Sequence, residues 1–397
     1  MQYKDSLPVF EKIAQRGIPI RDPEIVQKWA RTHLFMTFED LNSRFKGTVD
    51  GVERWEFISD AKWSEAVESG SIQPMLNRAK LKELWELFDY PEPGPKFNFS
   101  PTDFDLLAEF DGDPGLAGDL FRLYKRRNRL SGICGGWLSS YQSGRLYYGT
   151  LNPFGCTTGR CAPCPSNGFL PGMGHEITDA LLNPEEGKEI SILDYRSQGL
   201  CIMAALSQDP VMVSLATAKK DPYLGLGRIL GAIPVDEYSS MSVDSLRVKF
   251  AVERERFKKL MLAYQYGAGG KRIARILGKE EEYGVGMKRG LDSLFKVYCQ
   301  WRKGLKSEYP LPDGFIATGS SPSVTAVQGT DAYILRRVLM ESQDWDVIAT
   351  NHDCLWVEHD SGVDVSPLAR LMEQIADDVT NSTGLFRVRV ETVKHRS

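Results

Sequence analysis

The sequence of 397 residues lacks several features that define specialised classes of protein. It has no run of about 18 consecutive apolar residues, so we predict no membrane-spanning segment. Its first residues, MQYKDSLPVFEK, contain neither an apolar stretch nor a cleavage site of small residues, and we predict no signal peptide. Internal repeats and low-complexity segments are also missing. Together these absences favour a globular, cytoplasmic protein.

Cysteine is scarce, and neither sign of charge dominates. Seven cysteines, an odd number, fit a reducing cytoplasm better than a disulfide scaffold. The net charge of −4 conceals local basic clusters: residues 121–130 carry five basic side chains and no acidic one, residues 247–259 six basic and two acidic, and residues 270–279 four basic and none acidic. Basic stripes on an acidic chain are typical of proteins that track phosphate groups. Solvated helix faces are the alternative interpretation.

The spacing of apolar residues predicts an α+β chain in which helices precede and separate the strands of an antiparallel sheet. Helices are predicted over residues 8–45, 75–90, 115–130, 199–208, 243–278 and 366–380. Strands are predicted over residues 145–152, 188–193 and 386–393, with a hairpin around Asn351-His352-Asp353. Loops are predicted at 89–101 and 153–175, where glycine and proline are frequent. The length indicates two or three subdomains.

Two aspartates stand where predicted strands end. In ILDYRSQGL, Asp194 directly follows an apolar run that is predicted to be a strand. Asp353 lies in the predicted turn between two other strands. If these strands are neighbours, the two carboxylates converge at one edge of the sheet. Hard oxygen ligands with open positions suit Mg²⁺, and a pair of such ions about 3.5–4 Å apart stabilises both oxygens of a phosphoryl transfer. Two unrelated turn aspartates are the alternative.

A third element, RERFKKLMLAYQYGAGG, places one stripe along a predicted helix. Arg254, Lys258, Leu262 and Tyr266 recur every four residues, so they share a face. The two cations lie towards the N-terminal end, where the helix dipole also attracts anions. A triphosphate along this stripe would meet Arg254 and Lys258, and its base would lie near Tyr266.

These three segments resemble the motifs of the DNA polymerase I family (family A). DYRSQGLCIMAALSQD, from Asp194, resembles motif A; RERFKKLMLAYQYG is similar to motif B; and NHDCLWVE resembles motif C. TTGRCAPC looks like the TGR segment, VQGTDAYILRRV resembles the QGT helix, and residues 78–140 are similar to the thumb. The resemblance covers nearly the whole chain, and the motifs stand in the family's order.

The resemblance implies a right-hand polymerase that extends a primer with nucleoside triphosphates. Its implied parts are an N-terminal part of the core at 1–74, a thumb at 75–135, a palm at 136–206 and 326–397, and fingers at 207–325. We expect a monomeric, magnesium-dependent DNA-directed DNA polymerase with a role in DNA replication, from a bacterial or phage-infected cell. It would bind primer-template nucleic acid, and Mn²⁺ would substitute for its two Mg²⁺ ions. No segment resembles a proofreading nuclease, so we expect no 3′–5′ exonuclease activity.

The resemblance also implies roles for individual residues. Asp194, Asp353 and the Tyr195 carbonyl would hold the metal ions, and Lys258 would join both aspartates in catalysis by protonating the leaving pyrophosphate. The nucleotide would contact Arg254, Lys258, Tyr266, Gly199, Tyr223 and Leu262. The nucleic acid would contact Thr158, Arg160, Gln328, His352, Arg126 and Arg127.

Three of these positions depart from the family pattern. Gly199 replaces a glutamate that crowds the sugar 2′ position, and single-subunit phage RNA polymerases carry glycine there. Leu262 replaces an aromatic residue that is linked to 3′-OH selection, and Tyr223 replaces a histidine that contacts the triphosphate. We therefore expect relaxed sugar selection, with an RNA-synthesising or primase-like polymerase as the alternative.

The cysteines suggest an alternative of another class, an iron–sulfur protein. Cys156, Cys161 and Cys164 match an iron–sulfur spacing, with Cys134 or Cys201 as a fourth ligand. This would make the chain a redox protein, whereas free thiols in a loop would leave the polymerase interpretation intact. A non-catalytic nucleic-acid-binding protein is a further alternative. The presence of both the acidic residues and the motif B cations disfavours it.

Overall fold

The structure, a computed structural model, describes residues 2–45, 126, 129–130, 132–133, 140–147, 151–163 and 175–396. The chain divides into two compact units, one of residues 1–20 and 140–397 and the other of residues 21–139. The described part of the second unit contains one long helix, Pro23–Phe45, which begins where the Asp22 carboxylate accepts a hydrogen bond from the Glu24 amide. All other helices and strands given below belong to the first unit.

The described chain begins with a short 3₁₀ turn at Tyr3–Ser6. The helices are α1 Leu7–Arg16, α2 Pro23–Phe45, α3 His175–Leu181, α4 Gln198–Ser207, α5 Pro210–Thr217, α6 Pro222–Ile229, α7 Val235–Ser240, α8 Val243–Lys249, α9 Ala251–Gln265, α10 Gly270–Leu277, α11 Glu281–Leu294, α12 Lys296–Gly304, α13 Pro322–Glu341 and α14 Ser366–Thr380. The strands are β1 Ile18–Pro19, β2 Tyr141–Gln142, β3 Arg145–Leu146, β4 Leu151–Asn152, β5 Ala162–Pro163, β6 Lys188–Tyr195, β7 Glu308–Pro310, β8 Ile316–Thr318, β9 Asp346–Asn351, β10 Cys354–Asp360 and β11 Val388–Lys394.

A four-stranded antiparallel sheet in the order β11-β6-β10-β9 forms the centre of the first unit. β6 is central because its apolar, β-branched run is buried: Ile190 and Leu193 have no exposed surface. β9 and β10 form the predicted hairpin, with His352 and Asp353 in the turn. The predicted α+β class with an antiparallel sheet is confirmed.

Helix α4 follows β6 directly and lies inside the unit. Its segment LCIMAAL is apolar on every side, which is the pattern of a helix that is covered all round. Residues Leu200 to Ala205 are accordingly buried, and α4 contacts α5, α12, α13 and α14. The residues at the junction of β6 and α4, from Asp194 to Gly199, are therefore fixed between the sheet and a buried helix.

The segment 243–278 is helical, as the sequence predicts, and it forms three helices, α8, α9 and α10. Phe250 interrupts the first two with φ −112° and ψ 35°, and Gly267 interrupts the last two with φ +75°. Helical periodicity persists across such breaks, since each segment buries one face against the same neighbours.

The single strand predicted over 145–152 is also wrong. β3 ends at Leu146 and pairs with β1 and β2, whereas β4 begins at Leu151 and pairs with β5 in a separate two-stranded sheet. The alternation of side chains is real, but it does not specify a common pairing partner. The loop predicted over 153–175 likewise contains β5.

Some predictions fall on residues that the structure does not describe. The helix at 75–90 and the loop at 89–101 lie outside the described residues, and so does most of the helix at 115–130. Among the described helices, none is long and apolar enough to cross a membrane.

Candidate active site

The two predicted aspartates meet at one edge of the central sheet. β6 and β10 are neighbours, and their antiparallel register places Cys354 opposite Asp194. Asp353 immediately precedes Cys354, so the hairpin turn holds it beside Asp194 at the end of β6. Both carboxylates line the same cleft, which has a volume of about 920 Å³.

The site carries more negative charge than its surroundings neutralise. Burial raises the pKa of Asp353, and the nearby carboxylates of Asp331 and Asp194 raise it further. Burial also raises the pKa of Asp194, although Arg389 acts in the opposite direction. Grouped carboxylates with raised pKa values are stabilised by an added cation. A divalent cation bound here would reduce the repulsion between the carboxylates of Asp194, Asp331 and Asp353.

The donor set fits a hard cation such as Mg²⁺. Asp194 and Asp353 offer carboxylate oxygens, and the Asp331 Oδ1 atom is buried without a hydrogen-bond partner among the described residues. Within the described part of the chain, no group of three or more His, Cys, Asp and Glu side chains is arranged as a metal site. The protein would thus supply two carboxylates, and phosphate and water would complete the coordination, as Mg²⁺ prefers.

Helix α9 contributes a cationic part of the cleft wall. Arg254, Lys258, Leu262 and Tyr266 all line it, and Tyr266 stands just beyond the last helical residue. Leu262 and Tyr266 are exposed, by 39% and 46%, so an apolar and an aromatic surface face the opening. Lys258 has no hydrogen bond or ion pair with any described residue, which leaves its ammonium group available to an anion.

Arg254 is held by a residue that the sequence reasoning missed. Its Nε atom donates a hydrogen bond of 2.7 Å to Asp221 Oδ2, and its Nη1 atom lies 2.9 Å from Glu255. Burial alone would lower the pKa of Arg254, but the hydrogen bond to Asp221 raises it overall. Asp221-Pro222 at the start of α6 is a recognisable helix-start pattern, yet nothing in the sequence shows that its carboxylate reaches Arg254.

Gly199 lies in the first turn of α4 and faces the cleft. A Cβ atom there would be 3.6 Å from the Gln265 side chain, which is ordinary contact, so the position has space for a side chain. Tyr223 also lines the cleft, but it is only 7% exposed. Burial raises the pKa of its hydroxyl, although a hydrogen bond with Ser197 acts in the opposite direction.

The residues predicted to contact nucleic acid are only partly brought together. Arg160 lines the cleft, where its Nη2 atom forms a 2.5 Å ion pair with the buried Asp331. Gln328 lines it too and donates a 2.8 Å hydrogen bond to the Tyr266 hydroxyl. Thr158 is buried and does not line the cleft, and neither does His352.

His352 and the two remaining arginines differ from this group. His352 occupies the hairpin turn with φ +56°, and burial together with Arg160 lowers the pKa of its imidazole. Arg126 belongs to the second unit, and Arg127 lies outside the described residues. Their predicted contacts with nucleic acid remain predictions.

The described residues give little support to an iron–sulfur site. Cys134 and Cys164 lie outside the described residues. Cys201 is buried within α4, where its thiol lies 3.6 Å from the Arg196 carbonyl oxygen. Burial raises the pKa of Cys161 and of Cys201 to about 12.

Comparison with known proteins identifies the fold. No protein-family model and no curated protein matches the chain. The structure is similar to the POL domain of Pol1 from M. smegmatis, solved in complex with DNA primer-template and dNTP. The TM-score is 0.64 and the sequence identity 17%, over 98% of this chain and 69% of the other. At that identity the likeness establishes an α+β fold of the DNA polymerase type.

Proposed function

We propose that this protein is a template-directed nucleotidyltransferase that extends a primer 3′-OH with nucleoside triphosphates. One observation carries the proposal: Asp194 and Asp353 share a cleft with the cationic face of α9. Carboxylates and cations that line one cleft suit a triphosphate that binds with divalent metal ions. The fold similarity to a POL domain that binds primer-template and dNTP supports the same conclusion.

Each side chain has a role that follows from its place in the cleft. Asp194, Asp353 and the Tyr195 carbonyl would hold two Mg²⁺ ions, or Mn²⁺ in their place. When bound, the ions supply charge neutralisation at the attacking and leaving oxygens. Arg254 and Lys258 bind the triphosphate, and the unpaired ammonium of Lys258 donates a proton to the departing pyrophosphate.

The remaining residues position base, sugar and primer. Tyr266, whose hydroxyl accepts the hydrogen bond from Gln328, stacks near the new base pair. Gly199, Leu262 and Tyr223 surround the sugar and the triphosphate. Arg160, Gln328 and His352 face the primer-template. Residues 136–206 and 326–397 act as the palm, 207–325 as the fingers and 75–135 as the thumb, with 1–74 completing the core.

The reaction we favour is DNA-directed DNA synthesis with relaxed sugar selection. Space beside Gly199 is the observation behind the relaxed selection, because nothing at that position excludes a 2′-OH. The same observation favours the second candidate, an RNA-synthesising or primase-like polymerase. Synthesis of RNA on single-stranded template without a primer would distinguish this candidate from a primer-dependent enzyme.

Primer extension with separate dNTP and rNTP pools tests the proposal. We expect the wild-type protein to extend a primer when Mg²⁺ is present. Asp353→Asn should abolish extension while primer-template binding persists, because affinity for nucleic acid comes mainly from phosphate contacts. Asp344→Asn, at an exposed aspartate away from the cleft, is the matched control. Full extension by Asp353→Asn would overturn the assignment.

A further inference from the structure

Arg247 is a cation of the cleft to which the proposed function gives no role. It lies on α8, whereas Arg254 lies on α9, and both side chains line the cleft. Their Nε atoms donate to the same oxygen, Asp221 Oδ2, at 3.2 Å for Arg247 and 2.7 Å for Arg254. Two guanidinium groups from different helices are therefore held side by side by a single carboxylate.

Asp221 is a fixed anchor for this pair. It is only 2% exposed, and its Oδ1 atom accepts hydrogen bonds from the backbone amides of Tyr223 at 3.1 Å and Leu224 at 3.4 Å. These bonds cap the N-terminus of α6 and fix the direction of the carboxylate. Because Oδ1 is used by the helix, Oδ2 remains for the two arginines. Asp221 thus aligns them through their Nε atoms and does not occupy their Nη atoms.

The Nη groups of the two arginines can bind an anion. The Nη atoms of Arg247 have no hydrogen-bond partner among the described residues, whereas Nη1 of Arg254 contacts Glu255. Lys220 differs, since its ammonium donates to the carbonyls of Ser239 and Met241, each at 3.1 Å. Guanidinium groups bind phosphate through two parallel hydrogen bonds.

Charge in this part of the cleft favours a polyanion. It contains four cations, Lys220, Arg247, Arg254 and Lys258, and two anions, Asp221 and Glu255, so its net charge is +2. A chain of phosphates offers more oxygens to these cations than a single phosphate does. The chemistry is that of a polyphosphate.

We propose that Arg247 is a second triphosphate-binding arginine, which Asp221 aligns with Arg254 so that both contact the distal phosphates of the incoming nucleotide. Asp221 is a positioning residue. The identity of the ligand as a nucleotide rests on the proposed function, whereas the capacity to bind a polyphosphate rests on the cleft itself.

Calorimetric titration with magnesium tripolyphosphate tests the binding without any catalysis. We expect Arg247→Ala to weaken binding about tenfold, the loss of one charge-assisted contact of about 1.4 kcal/mol. Arg256→Ala is the matched control, because Arg256 lies on α9 two residues, or about 200°, from Arg254 and does not line the cleft. It should leave binding unchanged. Arg247→Gln serves as a second uncharged variant, and thermal unfolding checks that each variant is folded.

Steady-state kinetics with dATP separates binding from chemistry. Arg247→Ala should raise the KM about tenfold with little change in kcat, and Arg247→Lys should recover part of the loss, because a lysine restores the charge without the fork. Equal tripolyphosphate affinity in Arg247→Ala and Arg256→Ala would overturn the inference. A protein that binds tripolyphosphate through Arg247 but never incorporates dATP would overturn the proposed function alone.

Discussion

Arg389 lies directly opposite Asp194 in the register of β11 and β6, and its Nη2 atom is 3.0 Å from Asp194 Oδ2. The guanidinium group partly neutralises a carboxylate that would hold a metal ion. Its side chain is 50% exposed, so it can move away towards solvent. Arg389 would therefore compete with a divalent cation for the same oxygen.

Removing Arg389 should strengthen metal binding. We expect Arg389→Ala to lower the Mg²⁺ concentration for half-maximal primer extension by about two- to fivefold, the equivalent of ~0.5–1 kcal/mol for an exposed ion pair. Titration of Mg²⁺ in an extension assay measures it. Lys394→Ala is the control, because Lys394 lies on the same strand but opposite Glu189. A higher Mg²⁺ requirement in Arg389→Ala would show that the arginine assists the metal site instead.

The raised pKa of Asp353 predicts a pH-dependent stability of the metal-free protein. A carboxyl whose folded pKa exceeds its unfolded value of 3.8 favours the folded state most when protonated. Its contribution is thus fully present below about pH 4 and is lost as the pH rises through the folded pKa. Asp353→Asn, which stays neutral, should raise the Tm, and the gain should grow from pH 5 to pH 8.

Thermal unfolding in EDTA measures this gain, with Asp344→Asn as the exposed control. Added Mg²⁺ should raise the Tm of the wild type at pH 8 and leave Asp353→Asn nearly unchanged, because binding to the folded state alone is stabilising. A gain in Tm that is the same at pH 5 and pH 8 would mean that Asp353 is not the group that titrates.

A side chain at Gly199 should restore selection against ribonucleotides. The space beside Gln265 accepts a Cβ atom, so Gly199→Glu should place its side chain in the cleft and reduce ATP incorporation relative to dATP by about tenfold or more, ~1.4 kcal/mol. Gly286→Glu adds the same charge at an exposed position of α11 with open space around it. Single-turnover incorporation of each nucleotide is the measurement. Unchanged selectivity in Gly199→Glu would place the sugar elsewhere.

Asp209 stabilises two helices at once. Its Oδ1 atom accepts hydrogen bonds from the amides of Val211 and Met212 in α5, and its Oδ2 atom accepts from Val297 and Tyr298 in α12. Asp209→Ala should lower the free energy of unfolding by about 1–4 kcal/mol, since each cap contributes about 0.5–2 kcal/mol.

The matching variant Asp209→Asn retains one accepting oxygen, so we expect about half of that loss. Urea unfolding followed by circular dichroism compares the two variants with the wild type. Equal losses in both would indicate that charge, rather than the number of capped helices, sets the effect.

Much of the acidic edge of the central sheet, where Asp194 and Asp353 lie, could be predicted from local sequence. The apolar run before Asp194 and the turn residues around Asp353 specify two strand ends, and β6 and the β9–β10 hairpin form close to the predicted residues. The stripe from Arg254 to Tyr266 follows from helical spacing and does face the cleft. These features depend on period and turn chemistry, which short windows of sequence contain.

Predictions that required a pairing partner were less successful. The alternation of side chains over 145–152 predicts one strand, but β3 and β4 belong to different sheets. Periodicity over 243–278 did not reveal the breaks at Phe250 and Gly267. The helix propensities and side-chain alternation in these segments are compatible with several arrangements, and packing selects among them.

By itself, the sequence determined the α+β class, the acidic strand ends and the cationic helix, because local periodicity and the chemistry of the side chains specify them. Only the tertiary structure decided which charges meet: Arg389 with Asp194, Asp331 with Arg160, and Asp221 with both Arg247 and Arg254. The first pair is separated by 195 residues. Contacts over such distances depend on strand order and helix packing, since Coulomb attraction acts through space and leaves no periodic pattern along the chain.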